Sequence, residues 1–275
     1  MFSRLSKLQR SLLTVIIIFA VFFGMWQISI AMLPIDVTTF QVSLEGLPKK
    51  LDGLRIVQLS DIHLGPFVPE KLVNKAVNAA IKCNPDIVVL TGDFVSFSPK
   101  YADKCMTIIA QLKPRYGVYA VAGNHDYYQG IEKIQHAARK QGFHFLINAS
   151  NEVLPGFHVA GIDDESRGTV DAKAALRNVP KNAALLLITH EPATARYVHF
   201  RGALALTGHT HGGQINIPYI TRSFIIRYFG FISGWYNIGK AKLYVNRGIG
   251  FNGIIPFRFR CNPEVSVFIL HPAKR

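Results

Sequence analysis

The sequence predicts an α/β fold in which sheet packs on sheet with helices outside, carried behind an N-terminal transmembrane helix. Three observations predict it. From residue 54 onward, apolar runs of strand length alternate with segments of helical spacing. Five of those runs end on Asp, Asn or His. The first apolar run, residues 12–33, carries no charge and is long enough to cross a bilayer. With 275 residues, 49% hydrophobic and 17% charged, the chain has ample material for a buried core and is too apolar for disorder.

Residues 1–11 form a basic flank, with Arg4, Lys7 and Arg10 and no acid. The span 12–33, LLTVIIIFAVFFGMWQISIAML, has only Thr14, Gln27 and Ser29 as polar interruptions. A helix of that length rises about 33 Å, the thickness of a hydrocarbon core. Residues 34–53 are a linker with a first strand, and over 34–50 the charges balance: Asp36 and Glu45 against Lys49 and Lys50. The positive-inside rule then predicts a single-pass protein of the cell (inner) membrane, with the bulk of the chain on the exoplasmic side. A cleaved signal peptide is the rival reading, since Ser29-Ile30-Ala31 resembles a small-x-small cleavage site. The apolar run is long for a signal peptide, which favours an uncleaved anchor.

Residues 54–275 form the main domain. LRIVQLS (54–60) reads as a buried strand ending at Asp61. Residues 69–82 have helical spacing through Leu72, Val73, Ala76, Ala79 and Ala80. DIVVL (86–90) is a second strand, stopped by Thr91-Gly92-Asp93, and 101–112 reads as a helix. GVYAVAG (117–123) is a third strand, ending at Asn124-His125-Asp126, followed by helical spacing over 131–141. After a weaker stretch come ALLLITH (184–190), ALALTGH (203–209), KLYVNRG (242–248) and EVSVFILH (264–271). Functional groups at the carboxyl ends of strands are the normal site position in layered α/β folds.

The formal net charge of +14 points to an anionic partner: phosphate, nucleic acid or an acidic membrane surface. Between Glu191 and Glu264 there is no acid, while Arg196, Arg201, Arg222, Arg227, Lys240, Lys242, Arg247, Arg258 and Arg260 fall there, so a cationic face is expected. Cys83, Cys105 and Cys261 are far apart with no CxxC, which argues against a disulfide framework and excludes zinc-finger spacing.

The five strand tips are Asp61-Ile62-His63, Gly92-Asp93, Gly123-Asn124-His125-Asp126, Thr189-His190-Glu191 and Gly208-His209-Thr210-His211. A lone His or Asp at a strand end is usually a surface or turn residue. Five such tips in order make a donor set. Asp61, His63, Asp93, Asn124, His190, His209 and His211 offer mixed nitrogen and oxygen donors, more than a single tetrahedral site uses. They suit two divalent metal ions about 3.5–4 Å apart, sharing a carboxylate, which attract a phosphoryl oxygen and acidify a water. With no thiolate in the set, manganese, iron or zinc fit, and manganese is the working assignment. His209 and His211, two apart on an extended backbone, point to the same side.

The order D-x-H, G-D, G-N-H-D, lone His and G-H-x-H resembles that of calcineurin-like metallophosphoesterases, over about residues 54–271. The resemblance implies a four-layer α/β/β/α sandwich and a metal-dependent phosphoric ester hydrolase. By position it implies that Asp61, His63 and His211 hold one metal, that Asn124, His190 and His209 hold the other, and that Asp93 bridges. His125 would face the scissile phosphate and serve the leaving oxygen as general acid, and Asp126 would support the loop. Protein phosphatases of the family read GDxVDRG and GNHE, whereas this chain reads GDFVSFS and GNHDYY. The second Asp and the Arg are missing, which argues against phosphoserine protein substrates. GHTHGGQ, YVNRGIG (244–250) and NPEV (262–265) are similar to a membrane-associated bacterial phosphodiesterase subgroup, in which Arg247, Gly248 and Gly250 would shape the pocket rim.

Between the GHTH loop and the next strand lies YITRSFIIRYFGFISGWY (219–236), rich in aromatics, with Arg222 and Arg227 as its only charges. It is expected to be an interfacial segment beside the site, the bland alternative being an ordinary core helix. The function expected is hydrolysis of a phosphodiester or pyrophosphate bond in a lipid-linked substrate by a membrane-anchored enzyme. UDP-2,3-diacylglucosamine diphosphatase activity in lipid A synthesis is an alternative, but its cytosolic substrate conflicts with an exoplasmic domain. Two others are a phosphodiesterase or nuclease on a soluble nucleotide, nucleic acid being the less favoured partner, and a non-catalytic metal-binding scaffold.

Overall fold

The computed structural model describes residues 6–252 and 256–273. Its helices are α1 (Lys7–Ala31), α2 (Glu70–Lys82), α3 (Ala102–Ile109), α4 (Asn124–Gln129), α5 (Ile131–Lys140), α6 (Ala172–Leu176) and α7 (Ile220–Phe229). Its strands are β1 (Asp36–Leu44), β2 (Leu54–Leu59), β3 (Ile87–Thr91), β4 (Val118–Val121), β5 (His144–Phe145) and β6 (Ala149–Leu154), then β7 (Phe157–Gly161), β8 (Ala184–Ile188), β9 (Leu204–Thr207), β10 (Gly234–Ile238), β11 (Ala241–Val245) and β12 (Glu264–Pro272).

The strands form two sheets of six, ordered β1-β12-β2-β3-β4-β5 and β10-β11-β9-β8-β7-β6. In the first, β2 through β5 run parallel, while β12 is antiparallel to β2 and parallel to β1. In the second, β11, β9, β8 and β7 run parallel, with antiparallel β10 and β6 at the edges. A strand covered on both faces needs apolar side chains on both, and that is why β3 and β8 read as unbroken apolar runs. Val57, Val88 and Ala120 face α2, α3 and α5, whereas Ile56, Ile87 and Val121 face the second sheet. Leu185, Leu187 and Ala205, on the far face of that sheet, pack with Ala175 of α6 and with Ala195 and Val198. The result is helix, sheet, sheet, helix, the sandwich expected from the sequence.

The stretch 142–183, which has little periodicity, carries β5, β6, β7 and α6. Their shortness hides them: β5 has two residues, and β6 is an edge strand with half-exposed side chains. The expected span 12–33 lies within α1 except for its last two residues, and α1 starts earlier because Ser6 and Gln9 cap each other reciprocally. This helix is long and apolar enough to cross a membrane. The structure of Arg4 and the side chain of Arg10, part of the expected basic flank, lie outside the described residues.

Most apolar side chains of α1 up to Met25 are exposed, but its last turns dock on the domain. Ile30 and Ala31 are buried. Trp26 packs edge-on against Phe67 and Phe251, with centroids 5.7 and 6.2 Å away, and its Nε1 donates to the Pro256 carbonyl at 2.9 Å. Gln27 donates to the Pro66 carbonyl at 2.6 Å. The segment 219–236 is not one helix: it holds α7 and the start of β10. Tyr219, Ile220 and Tyr228 are exposed, unlike the side chains of a core helix. The side chains of Arg222, Phe224, Ile225 and Phe229 lie outside the described residues.

Candidate metal centre

The parallel strands aim their carboxyl ends at one place. Asp61 and His63 follow β2, Asp93 follows β3, Asn124 opens α4 after β4, His190 follows β8, and His209 and His211 follow β9. Three strands of one sheet and two of the other thus bring all seven predicted residues together across the seam between the sheets.

The residues fall into two groups. In the first, His63 Nε2 lies 3.2 Å from His211 Nε2, and His211 Nε2 lies 3.4 Å from Asp61 Oδ1. In the second, His209 Nδ1 lies 3.0 Å from His190 Nε2 and 3.2 Å from Asn124 Oδ1, and His190 Nε2 lies 3.2 Å from the same oxygen. Asp93 Oδ2 joins them, 3.3 Å from both His63 Nε2 and His190 Nε2. The donor atoms of Asp61, His63, Asp93 and His211 all lie within 4.8 Å of one another, and all four residues are buried.

This packing tests whether a cation fits. Facing ring nitrogens cannot all be satisfied by the few protons that neutral imidazoles carry. Two donors each about 2.1 Å from one cation, at roughly a right angle, stand about 3 Å apart, which is the spacing found. The electrostatics agree. Burial opposes the charge on Asp93, yet His190 and His63 outweigh it and hold its carboxyl well below the usual carboxylate range. Burial likewise depresses His190, but Asp93 reverses this and keeps the imidazolium favoured well above the usual histidine range. Burial, His63 and Arg258 push His211 well down, and burial with His190 pushes His209 down to about 3, so both rings present free electron pairs. Burial raises Asp61. Two buried carboxylates among four imidazoles are a set that a divalent cation would complete.

The backbone is bent to make this set. Asp61, His63, Asp93, His209 and His211 all have positive φ, between 48° and 72°. Side chains other than glycine rarely adopt that region, at a cost of order 1–3 kcal/mol each. Neighbouring glycines leave room. A Cβ on Gly208 would stand 2.2 Å from Asp61 Oδ2, and one on Gly123 would stand 2.3 Å from Asp93 Oδ1.

A layer of partners fixes the donors. His63 Nδ1 lies 2.7 Å from Ser96 Oγ, His190 Nδ1 lies 2.8 Å from the Thr91 carbonyl, and Ser60 donates to Asp61 at 2.6 Å. Asp126 accepts backbone N–H groups from Asp93, Phe94 and Gly123 at 2.8–2.9 Å, tying two tips together. His125 stands beside the donor set rather than in it. Its ring meets His63 edge-on at 4.7 Å and Tyr128 at 5.9 Å, and its backbone N–H donates to Asp93 Oδ1 at 2.8 Å. Burial and the neighbouring His63 and His190 outweigh Asp93 and lower its pKa, which favours neutral imidazole.

Arg247, Gly248 and Gly250 lie behind the first group of donors. Cβ atoms on Gly248 and Gly250 would press on Asp61 Cβ and on the Ile62 carbonyl, at 2.6 and 2.4 Å. Arg247 turns to Glu264 at 2.8 Å and Asp36 at 3.1 Å. Arg258 is buried, its Nε donating to the Gly250 carbonyl at 2.8 Å and one NH2 lying 3.4 Å from His211 Nδ1. The expected cationic face is correspondingly weaker. Arg196 pairs with Glu165, and Arg201 caps the Ala183 carbonyl at 2.7 Å, so four of its arginines are engaged within the fold. Sequence reasoning missed Ser96 and Arg258. A Ser and an Arg far along the chain carry no motif signal, and only the loop paths join them to His63 and His211.

The model of the calcineurin-like phosphoesterase family matches residues 54–213. A transmembrane protein with a metallophosphoesterase domain from Danio rerio is 32% identical over 87% of this chain, which spans 58% of that relative's length. Phosphodiesterase YaeI of Escherichia coli is 28% identical over 78% of this chain and 82% of its own. UDP-2,3-diacylglucosamine pyrophosphatase LpxG of Chlamydia muridarum is 26% identical over 80% of this chain and 85% of its own. With two sheets meeting at these five tips and a family model that ends just past the GHTH loop, the chain belongs to the calcineurin-like phosphoesterases.

Proposed function

We propose that the chain is a membrane-anchored phosphoesterase with two divalent metal ions that hydrolyses a phosphodiester or pyrophosphate bond in a lipid-linked substrate. The observation that carries the chemistry is the pair of donor groups joined through Asp93 Oδ2. Asp61, His63 and His211 would hold one ion, Asn124, His190 and His209 the other, with Asp93 placed between the two groups. The chemistry a bound ion pair would supply there is Lewis-acid polarisation of phosphoryl oxygens and a water of lowered pKa. The chain's own part is positioning. Thr91 and Ser96 orient the rings of His190 and His63. His125, held through its backbone on Asp93, faces the leaving oxygen and gives it a hydrogen bond or proton.

The lipid part of the reading rests on an aromatic path from anchor to site. Trp26 of α1 packs on Phe67, Phe67 packs on Phe97 at 5.1 Å, and Phe97 follows the Ser96 that holds His63. Phe97 is 54% exposed, so an apolar surface adjoins the centre. The names of the YaeI and LpxG relatives support phosphodiester or diphosphate substrates, LpxG an acylated one. The positive-inside rule favours the exoplasmic face. The test uses purified full-length protein with manganese against bis-p-nitrophenyl phosphate, a monoester analogue and an acylated UDP-sugar. Diester or diphosphate cleavage that weakens when the acyl chains are removed is expected; preference for the monoester, or indifference to acylation, refutes the reading. Protease digestion of intact cells reports the face.

A further inference from the structure

One face of α2 carries Lys71, Lys75, Asn78 and Lys82, spaced by four, three and four residues, which is a single helical stripe. The opposite face, including Leu72, Val73, Ala76 and Ala80, is buried. The stripe looks across a groove of about 830 Å³ whose other wall is apolar, formed by Met32, Ile35 and Val37 at the end of α1 and the start of β1. No carboxylate is among its lining residues. Lys75 Nζ donates to the Leu33 carbonyl at 2.6 Å and to that of Met32 at 3.3 Å, close to the carbonyls that a helix end leaves unpaired. Lys71 and Lys82 are exposed, and among the described residues neither enters a salt bridge.

The depth of this groove follows from α1. The segment from Leu8 to Met25 stands clear of the domain and rises about 27 Å, close to a hydrocarbon core. Trp26 then marks the level where aromatic side chains meet head groups. Met32 lies six residues further, about 9 Å along the axis, at the outer edge of the head-group layer, which adds about 5–7 Å on each side of the core. Ile28 and Met32, 61% and 69% exposed, continue the apolar wall back toward the span.

We infer that the groove between α1 and α2 binds the head group of an anionic phospholipid. Lys71 and Lys75, one turn apart, close on its phosphate; Lys82, two turns further on, reaches a second anionic group; the acyl chains run from Ile28 back along the span. The inference rests on the reading that α1 crosses the bilayer. It assigns a lipid to a place apart from the metal centre.

The test is native mass spectrometry of full-length protein in mild detergent, titrated with phosphatidylglycerol or phosphatidylcholine of the same acyl chains. Preference for the anionic lipid, on the order of tenfold for two lysines at a charged surface, is expected. It should vanish in Lys71→Glu/Lys82→Glu and shrink in the milder Lys71→Gln/Lys82→Gln, while manganese-dependent hydrolysis of bis-p-nitrophenyl phosphate is unchanged. Equal retention of the two lipids, or a preference that survives both double variants, overturns the proposal. Displacement of the lipid by millimolar inorganic phosphate overturns it too, since the groove would then be a free-anion site. Failure of the anchor reading looks different: the protein would be released from cell membranes by alkaline carbonate.

Discussion

The two halves of the metal centre are built differently. Asp61, His63 and His211 are buried, own a carboxylate, and have Gly248, Gly250 and Arg258 pressed against their backs. Asn124 and His209 are only half-buried, and with His190 they supply no carboxylate of their own. Both halves share Asp93. The difference teaches that a two-ion site need not hold its ions equally. On the proposed reading, the first half is an enclosed cage with its own carboxylate, while the second, half-buried at Asn124 and His209, depends on Asp93 for its anionic donor. An ion held there would be the more readily exchanged of the two.

Removing what the halves share should have the largest effect. Asp93→Asn should empty both and lower diesterase activity on the order of 10⁴-fold, with metal content by elemental analysis falling from two ions toward none. If one ion stays with full affinity, Asp93 does not bridge. His125→Ala separates chemistry from metal binding: turnover should fall about 10²–10³-fold with both ions retained. Ser96→Ala touches only the first half. It should weaken one ion about 10–100-fold in a chelator competition and leave the other as it was; equal weakening of both would dissolve the distinction between the halves.

The last effect is on folding rather than on metal or turnover; it concerns the backing of the first half and carries a pH dependence. Glu264 is buried, which opposes its charge, but Arg247 and the Tyr244 hydroxyl overcome this and hold its carboxyl below the usual glutamate range. A carboxyl depressed in the folded state contributes stability that is complete above its unfolded pKa and is lost as pH falls through the folded value. Glu264→Gln should therefore cost about 3 kcal/mol at pH 7, and the gap from wild type in thermal melts should narrow as the solution is made acidic below the usual glutamate range. A gap constant with pH would mean that shape, not charge, matters at this position.

Much of this was legible in the sequence, for identifiable reasons. β2, β3, β4, β8 and β9 are covered on both faces, so each reads as an apolar run, and each hands over abruptly to a polar donor at its tip. That abruptness made all seven donors visible. The grouping of donors by neighbour was not legible from spacing alone; it came from the family resemblance, and the distances fall into the same two groups. Edge strands β5 and β6 escaped notice because short, half-exposed strands carry little periodicity. The cationic stretch was over-read, because residue counts do not tell whether Arg247 reaches water or Glu264. Ser96 and Arg258 act through shape and contact, which no local pattern encodes.

The close docking of α1 has a further consequence. Ile30 and Ala31 are already buried, and β1 begins at Asp36, so only a short connection separates span from sheet. On the reading that α1 crosses the bilayer, a protein mounted this way would keep a fixed height and tilt above the lipid plane instead of swinging on a flexible tether. Substrates embedded in the same leaflet then reach it by lateral diffusion in two dimensions, always at one depth, whereas soluble esters meet it at their bulk concentration. The mount itself would thereby select among substrates, and lengthening the connection at 33–35 with a few flexible residues should relax that selection without altering a single residue of the metal centre.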